Sequence, residues 1–154
     1  MLEVTVEGLD ELIAKAEKLP QLMGGAVRSF FEKAAIKIEE RAKRGTPVFQ
    51  SRLRSSITYK VAPGTIPLWA IIGTNVSYAP HVEFGTRPHW PPKGALQGWA
   101  DRHGIPVFLV MRAIARRGTP AKKMFQNALA GSRGDINRYL AELGKTIEQE
   151  WGTK

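Results

Sequence analysis

The 154-residue chain has no cysteine, which excludes a disulfide framework, thiolate metal ligands and a thiol nucleophile, and fits a cytosolic product. It has no apolar run near the roughly 20 residues needed to cross a bilayer. Its first residues, MLEVTVEGLDEL, carry acids where an export signal carries bases. A soluble protein without its own export signal is the expectation. Acids are scarce in the middle of the chain, where residues 41–134 hold 15 Lys/Arg but only Glu83 and Asp101 on the other side. Residues 1–40 are the reverse, with 8 Asp/Glu against 5 Lys/Arg. The basic stretch suits either phosphate or an acidic protein, and charge alone does not choose.

Catalytic sets are missing too. Metal ligation needs converging donors, and the candidates reduce to His81, Glu83, His89 and His103, without an HExxH spacing. An extended 81–83 would point His81 and Glu83 the same way, but no second close pair accompanies them. Ser51, Ser55, Ser56, Ser77 and Ser132 sit in no GxSxG context, and no GxxxxGK[ST] or GxGxxG loop occurs. So few acids leave paired-carboxylate hydrolysis poorly supplied. Neither an enzyme nor a cofactor site is expected.

What is present is periodic structure. Leu2, Val4 and Val6 alternate with Glu3, Thr5 and Glu7, a short strand ended by Gly8. A short helix is expected from about Asp10 to Lys18, with Pro20 opening the next. From Gln21 to Arg44, Met23, Val27, Phe30, Ala34, Ile38 and Ala42 share one helix face, which Phe31 and Ala35 widen. Arg41, Lys43 and Arg44 suit its negative dipole end, and Gly45 stops it.

Ser51–Ser56 reads as a brief helical turn. ITYKVA (57–62) and PLWAIIGT (67–74) read as a β-hairpin, Trp69 and Ile71 on one face and Ala70 and Ile72 on the other. The long helix is expected to cover one side of that sheet. Trp69, Phe30 and Phe31 are expected in the core. Residues 94–104 and 106–118 form a helical pair turning at His103-Gly104. The endings KRGTPV (43–48) and RRGTPA (116–121) echo each other as the same helix-stop chemistry. Residues 122–129 are ambiguous, and a last helix from about Asp135 to Trp151 presents Ile136, Tyr139, Leu140, Leu143, Ile147 and Trp151.

The helical pair resembles a DNA-reading helix–turn–helix only in outline. Its second helix carries Arg112, Arg116 and Arg117, but Val107, Phe108 and Leu109 occupy the first turn, where a recognition helix presents polar side chains. A small basic DNA-binding module is therefore the rival reading.

The stretch SYAPHVEFGTRPHWPP (77–92) stands apart. Pro80, Pro88, Pro91 and Pro92 restrict the backbone, which lowers the entropy lost on docking. Tyr78, Phe84, His89 and Trp90 offer large areas with few torsions to freeze. Trp90 and Trp99 are expected to pack this loop on the helical pair. Glu83 either pairs with an arginine (Arg87 locally, Arg52 or Arg54 across a subunit boundary) or stabilises its own loop.

Three blocks then resemble a family of tailed-bacteriophage neck or tail-completion proteins, also described as tail components. They are TPVFQSRLRSSI (46–57), IIGTNVSYAPHVEFGT (71–86) and TPAKKMFQNAL (119–129). The middle block carries Gly73, Thr74, Val76, Tyr78, Ala79, Pro80, Val82, Glu83, Phe84, Gly85 and Thr86 in the family's order, whereas Ser51 stands where the family has glycine. The resemblance implies an α+β fold, a long N-terminal amphipathic helix on a small antiparallel sheet, with a C-terminal helix and a helical insertion at 93–118, all within one domain spanning 1–154. It also implies a non-enzymatic virion protein of the head–tail junction, assembled in the host cytoplasm as a ring, six copies favoured. Its neighbours would be the head connector or stopper and the tail terminator or tail-tube proteins, with non-specific contact to packaged DNA. Expected at the subunit interface are Tyr78, Pro80, His81, Glu83, Phe84, Gly85, Thr86, Arg87 and Trp90. Expected to meet a DNA channel or an acidic partner are Arg52, Arg54, Arg112, Arg116, Arg117, Lys122 and Lys123.

Overall fold

The computed structural model describes residues 9–47, 51–67, 69–92 and 94–152. In order these form α1 (Leu9–Gly45), α2 (Arg52–Ser56), β1 (Thr58–Val61), β2 (Ala70–Gly73), α3 (Ala79–Phe84), α4 (Gln97–Arg102), α5 (Val107–Arg117) and α6 (Met124–Gly152). The class is α+β, with β1 and β2 paired in a two-stranded sheet. The strand expected at Leu2–Val6 lies outside the described residues.

The residues sort into two compact units: Met1–Lys37, Tyr59–Ile71 and Arg133–Lys154 in the first, Ile38–Thr58 and Ile72–Ser132 in the second. In the first, the expected face of α1 is turned inward, since Met23, Val27 and Phe30 are half-buried and Ala34 is buried. The two helices expected around Pro20 are one, with Pro20 inside α1. A proline removes one backbone bond from a helix interior, and the turns on either side here carry the helix through it. Phe30 and Phe31 meet edge to face at 5.3 Å, half-buried rather than fully enclosed.

α1 meets the hairpin at its loop. The Arg28 guanidinium donates to the carbonyls of Gly64 (2.5 Å) and Ala62 (3.4 Å), while a Cβ on Gly24 would strike the Thr65 carbonyl. The loop closes with the Ala62 N–H donating to Trp69 O at 2.9 Å. The core assignment of Trp69 does not hold, because Trp69 is 41% and Ile71 60% exposed. They share the strand face turned from the half-buried Ala70 and Ile72. On α6, Ile136, Tyr139, Leu143 and Ile147 are half-buried as expected, but Leu140 is exposed, and the side chain of Trp151 lies outside the described set.

The second unit is built on Leu53, Val76, Ala79 and Met124, with Val82 and Phe125 against them. Burying Met124 alone is worth about 1.5–3 kcal/mol. Helix α6 begins at Met124, well before the expected start at Asp135. Gly131, Ser132 and Gly134 look like helix breakers in the sequence, but close packing requires small residues at Gly131 and Ser132, while Gly134 has open space around it. Ala128 and Ser132 are buried, and a Cβ on Gly131 would come within 3.1 Å of the Arg41 guanidinium. Packing overrides propensity at these positions.

The end of α1 uses Thr46, whose hydroxyl donates to the Ala42 carbonyl at 2.7 Å, beside Met124 Sδ at 3.3 Å. Ser51 precedes α2 at φ 58°, a left-handed conformation. That accounts for the glycine of the family pattern, since only glycine takes this backbone without cost.

Candidate functional site

The block YAPHVEF is a helix rather than an extended loop. Tyr78 caps α3, with Pro80 in the first turn, where its missing N–H costs nothing. One helical turn separates the two sides of this block. Ala79 and Glu83, four residues apart, face inward and are buried; Tyr78, Pro80, His81 and Phe84 are exposed. His81 and Glu83 thus point apart. Among the described residues no group of three or more His, Cys, Asp or Glu gathers as a metal-ligand set.

Glu83 is 5% exposed, and its carboxylate accepts from the backbone N–H groups of Phe125 (3.0 Å) and Gln126 (3.1 Å). Those are donors that a helix N-terminus leaves unsatisfied. The residue at the N-cap position of α6 is Lys123, at φ 51°, whose carbonyl takes the first helical bond from Asn127 N–H at 2.8 Å. A lysine supplies no capping oxygen. Glu83 supplies it from another helix, and its charge also complements the positive end of the helix dipole. Of the two readings of Glu83, this geometry is that of the internal stabiliser. The service is mutual, because the N–H groups of Lys122 and Lys123 donate to the Val82 and Glu83 carbonyls at 2.9 and 3.0 Å, satisfying the end of α3.

Next to this lies a clasp between two Gly-Thr pairs. Thr86 and Thr119 form an antiparallel bridge, N–H to carbonyl at 3.1 and 3.2 Å, with their hydroxyls 3.0 Å apart. Gly85 (φ 73°, ψ −175°) and Gly118 (φ 70°, ψ −158°) occupy backbone open essentially to glycine alone. A Cβ on Gly85 would collide with the Thr119 carbonyl, and one on Gly118 with the Thr86 carbonyl. The excursion 87–118, including α4 and α5, is rooted in this clasp. The echo between 43–48 and 116–121 is therefore not one chemistry. Gly118 is left-handed and clasped, whereas Gly45 ends α1 without a positive φ and has room for a Cβ at ordinary contact distance from Met124. The working repeat is Gly85-Thr86 with Gly118-Thr119, which the sequence shows only as two of its six Gly-Thr pairs.

The outward side is apolar. Phe84 is 68%, Trp90 56% and Tyr78 41% exposed. Trp90 meets Phe108 of α5 edge to face at 6.3 Å, which ties the loop to the helical pair; Trp99 instead stacks on His103 at 4.1 Å. Arg87 is exposed, and its carbonyl bonds His89 Nδ1 at 2.9 Å. Of the basic residues, Arg52, Arg112, Arg116, Arg117, Lys122 and Lys123 are exposed and Arg54 is half-buried, all in the second unit. That unit holds 13 Lys/Arg and 4 Asp/Glu, the first 10 of each, so the whole net charge of +9 resides in the unit carrying the apolar face.

No curated protein and no solved structure matches this chain. Residues 10–85, about half of it, match the profile of the family described as "Bacteriophage HK97-gp10, putative tail-component". The match ends at Gly85, so it takes in α3 and its buried Glu83 and stops at the clasp. Through residues 10–85 the chain belongs to the HK97-gp10-like family of bacteriophage tail components.

Proposed function

We propose that this tail component is a non-enzymatic ring subunit of the head–tail junction, joining the head connector to the tail tube. The observation that carries the reading is the face formed by Tyr78, Pro80, His81 and Phe84 on α3 with Arg87 and Trp90 beyond it. It is exposed, built mainly of aromatic side chains with His81 and Arg87 among them, and held from behind by Glu83 and the clasp. Large exposed aromatics on a fixed backbone are what a protein interface requires, since little freedom is lost on docking. Glu83, Gly85 and Thr86 position the face, and the other six residues make the contact.

Copies pack head to tail, six closing the ring by rotation. The 1–154 chain acts as one domain whose helical insertion stands on the clasp. The basic residues of the second unit turn to packaged DNA or to an acidic neighbour in the virion. Changing Phe84→Asp together with Trp90→Asp should leave the far-ultraviolet circular dichroism unchanged and release monomers in sedimentation velocity. A ring that survives both changes would refute this interface.

A further inference from the structure

Resting on the ring reading, we propose that the outward face of α5 is the socket for the acidic N-terminal stretch, residues 1–12, of the neighbouring copy. α5 has no fully buried residue: Val107, Val110, Met111 and Ile114 are half-buried, which leaves Phe108 and Leu109 on its outward face. Phe108 is 56% and Leu109 45% exposed. Phe108, Arg112 and Arg116 follow at steps of four, and Leu109 lies three before Arg112, so an apolar first turn runs into an arginine stripe along one side. Trp90, edge to face against Phe108, enlarges the apolar end.

The positive charge here is not met within the unit. Its four acids are already engaged: Glu39 with Lys43 at 2.5 Å, Glu40 with Arg44 at 3.6 Å, Glu83 at the start of α6, and Asp101 with the Gln97 side chain at 2.7 Å. A DNA backbone would answer the arginines but not Phe108, Leu109 and Trp90. A protein segment with alternating acids and apolar residues answers both. Residues 1–12 hold Glu3, Glu7, Asp10 and Glu11 without a base, among Leu2, Val4, Val6, Leu9 and Leu12. Nowhere else does this chain place four acids and no base within twelve residues. Such complementarity between two separate stretches of one chain fits a head-to-tail contact.

The test is a charge exchange on the full chain, read by native mass spectrometry and sedimentation. One variant carries Arg112→Glu and Arg116→Glu; the other carries Glu3→Lys, Glu7→Lys, Asp10→Lys and Glu11→Lys. Each alone opposes like charges and should weaken assembly by about tenfold or more, with circular dichroism unchanged. Mixed in equal amounts, the two should form rings of alternating subunits. Rings formed normally by either variant alone, or a mixture that stays monomeric, would overturn the socket. So would an arginine variant that loses only its affinity for a 20-base-pair duplex while its rings persist. A wild-type chain that is itself monomeric would refute the ring reading as well, which separates the two failures.

Discussion

Glu83 shows how a residue that looks functional can act by building the surface beside it. Its carboxylate replaces the capping side chain that Lys123 cannot provide. Glu83→Gln keeps the shape and removes the charge, and should cost about 1–3 kcal/mol in urea unfolding. Amide exchange should quicken first over the opening turn of α6, from Phe125. The clasp glycines make a second residue-level prediction. Gly85→Ala or Gly118→Ala meets both a forbidden backbone and a carbonyl in the way, at about 2–5 kcal/mol. Gly94→Ala is the control: φ is +81° there too, but no atom lies within 4 Å of the added carbon, so about 1–2 kcal/mol is expected from the backbone alone. Equal losses at the three sites in thermal unfolding would contradict the clasp. The sequence announces a special loop through its glycines and prolines. It does not announce which carbonyl each glycine must clear, because Thr119 lies 34 residues from Gly85.

At the scale of elements, the long period of α1, the hairpin and the α4–α5 pair are legible from local pattern alone: α1 from its apolar stripe, the hairpin from β-branched residues around a Pro-Gly turn, and the pair from His103-Gly104 and Pro106. Three features are not. α3 is too short for periodicity to show and is marked only by Pro80 and Gly85 at its ends. The first turns of α6 are ambiguous between strand and helix in the sequence, because the small residues Gly131 and Ser132 answer to close packing, Gly131 against Arg41, and not to helix propensity. The exposure of Trp69 depends on what covers the sheet, which its own strand does not encode. The α1–hairpin contact offers a paired test. Gly24→Ala pushes against the Thr65 carbonyl and should destabilise by about 1–3 kcal/mol. Gly25→Ala, one position on, has open space around it and should stabilise α1 by about 0.5–1 kcal/mol. Thermal denaturation of the two variants should move in opposite directions.

At the scale of the whole molecule, charge and apolar exposure coincide. The second unit carries all the net charge and the aromatic face, and its acids are spent on local pairs and on capping. In the proposed ring its α5 face is met by the acidic and apolar N-terminal stretch of the next copy. Residues 10–85 match a family described as phage tail components, and in the ring proposed above the exposed α3 face is the surface on which copies meet. The candidate site was legible in kind, since the aromatic, proline-rich block is where the face lies. Its division of labour was not, because Glu83, Gly85 and Thr86 sit among the contact residues in sequence but turn toward Thr119 and Phe125 in space. The measurement that bears most directly on this account is native mass spectrometry of the purified full-length chain over a range of concentrations. A closed oligomer of one size, six copies, is predicted, and monomer at every concentration would contradict it.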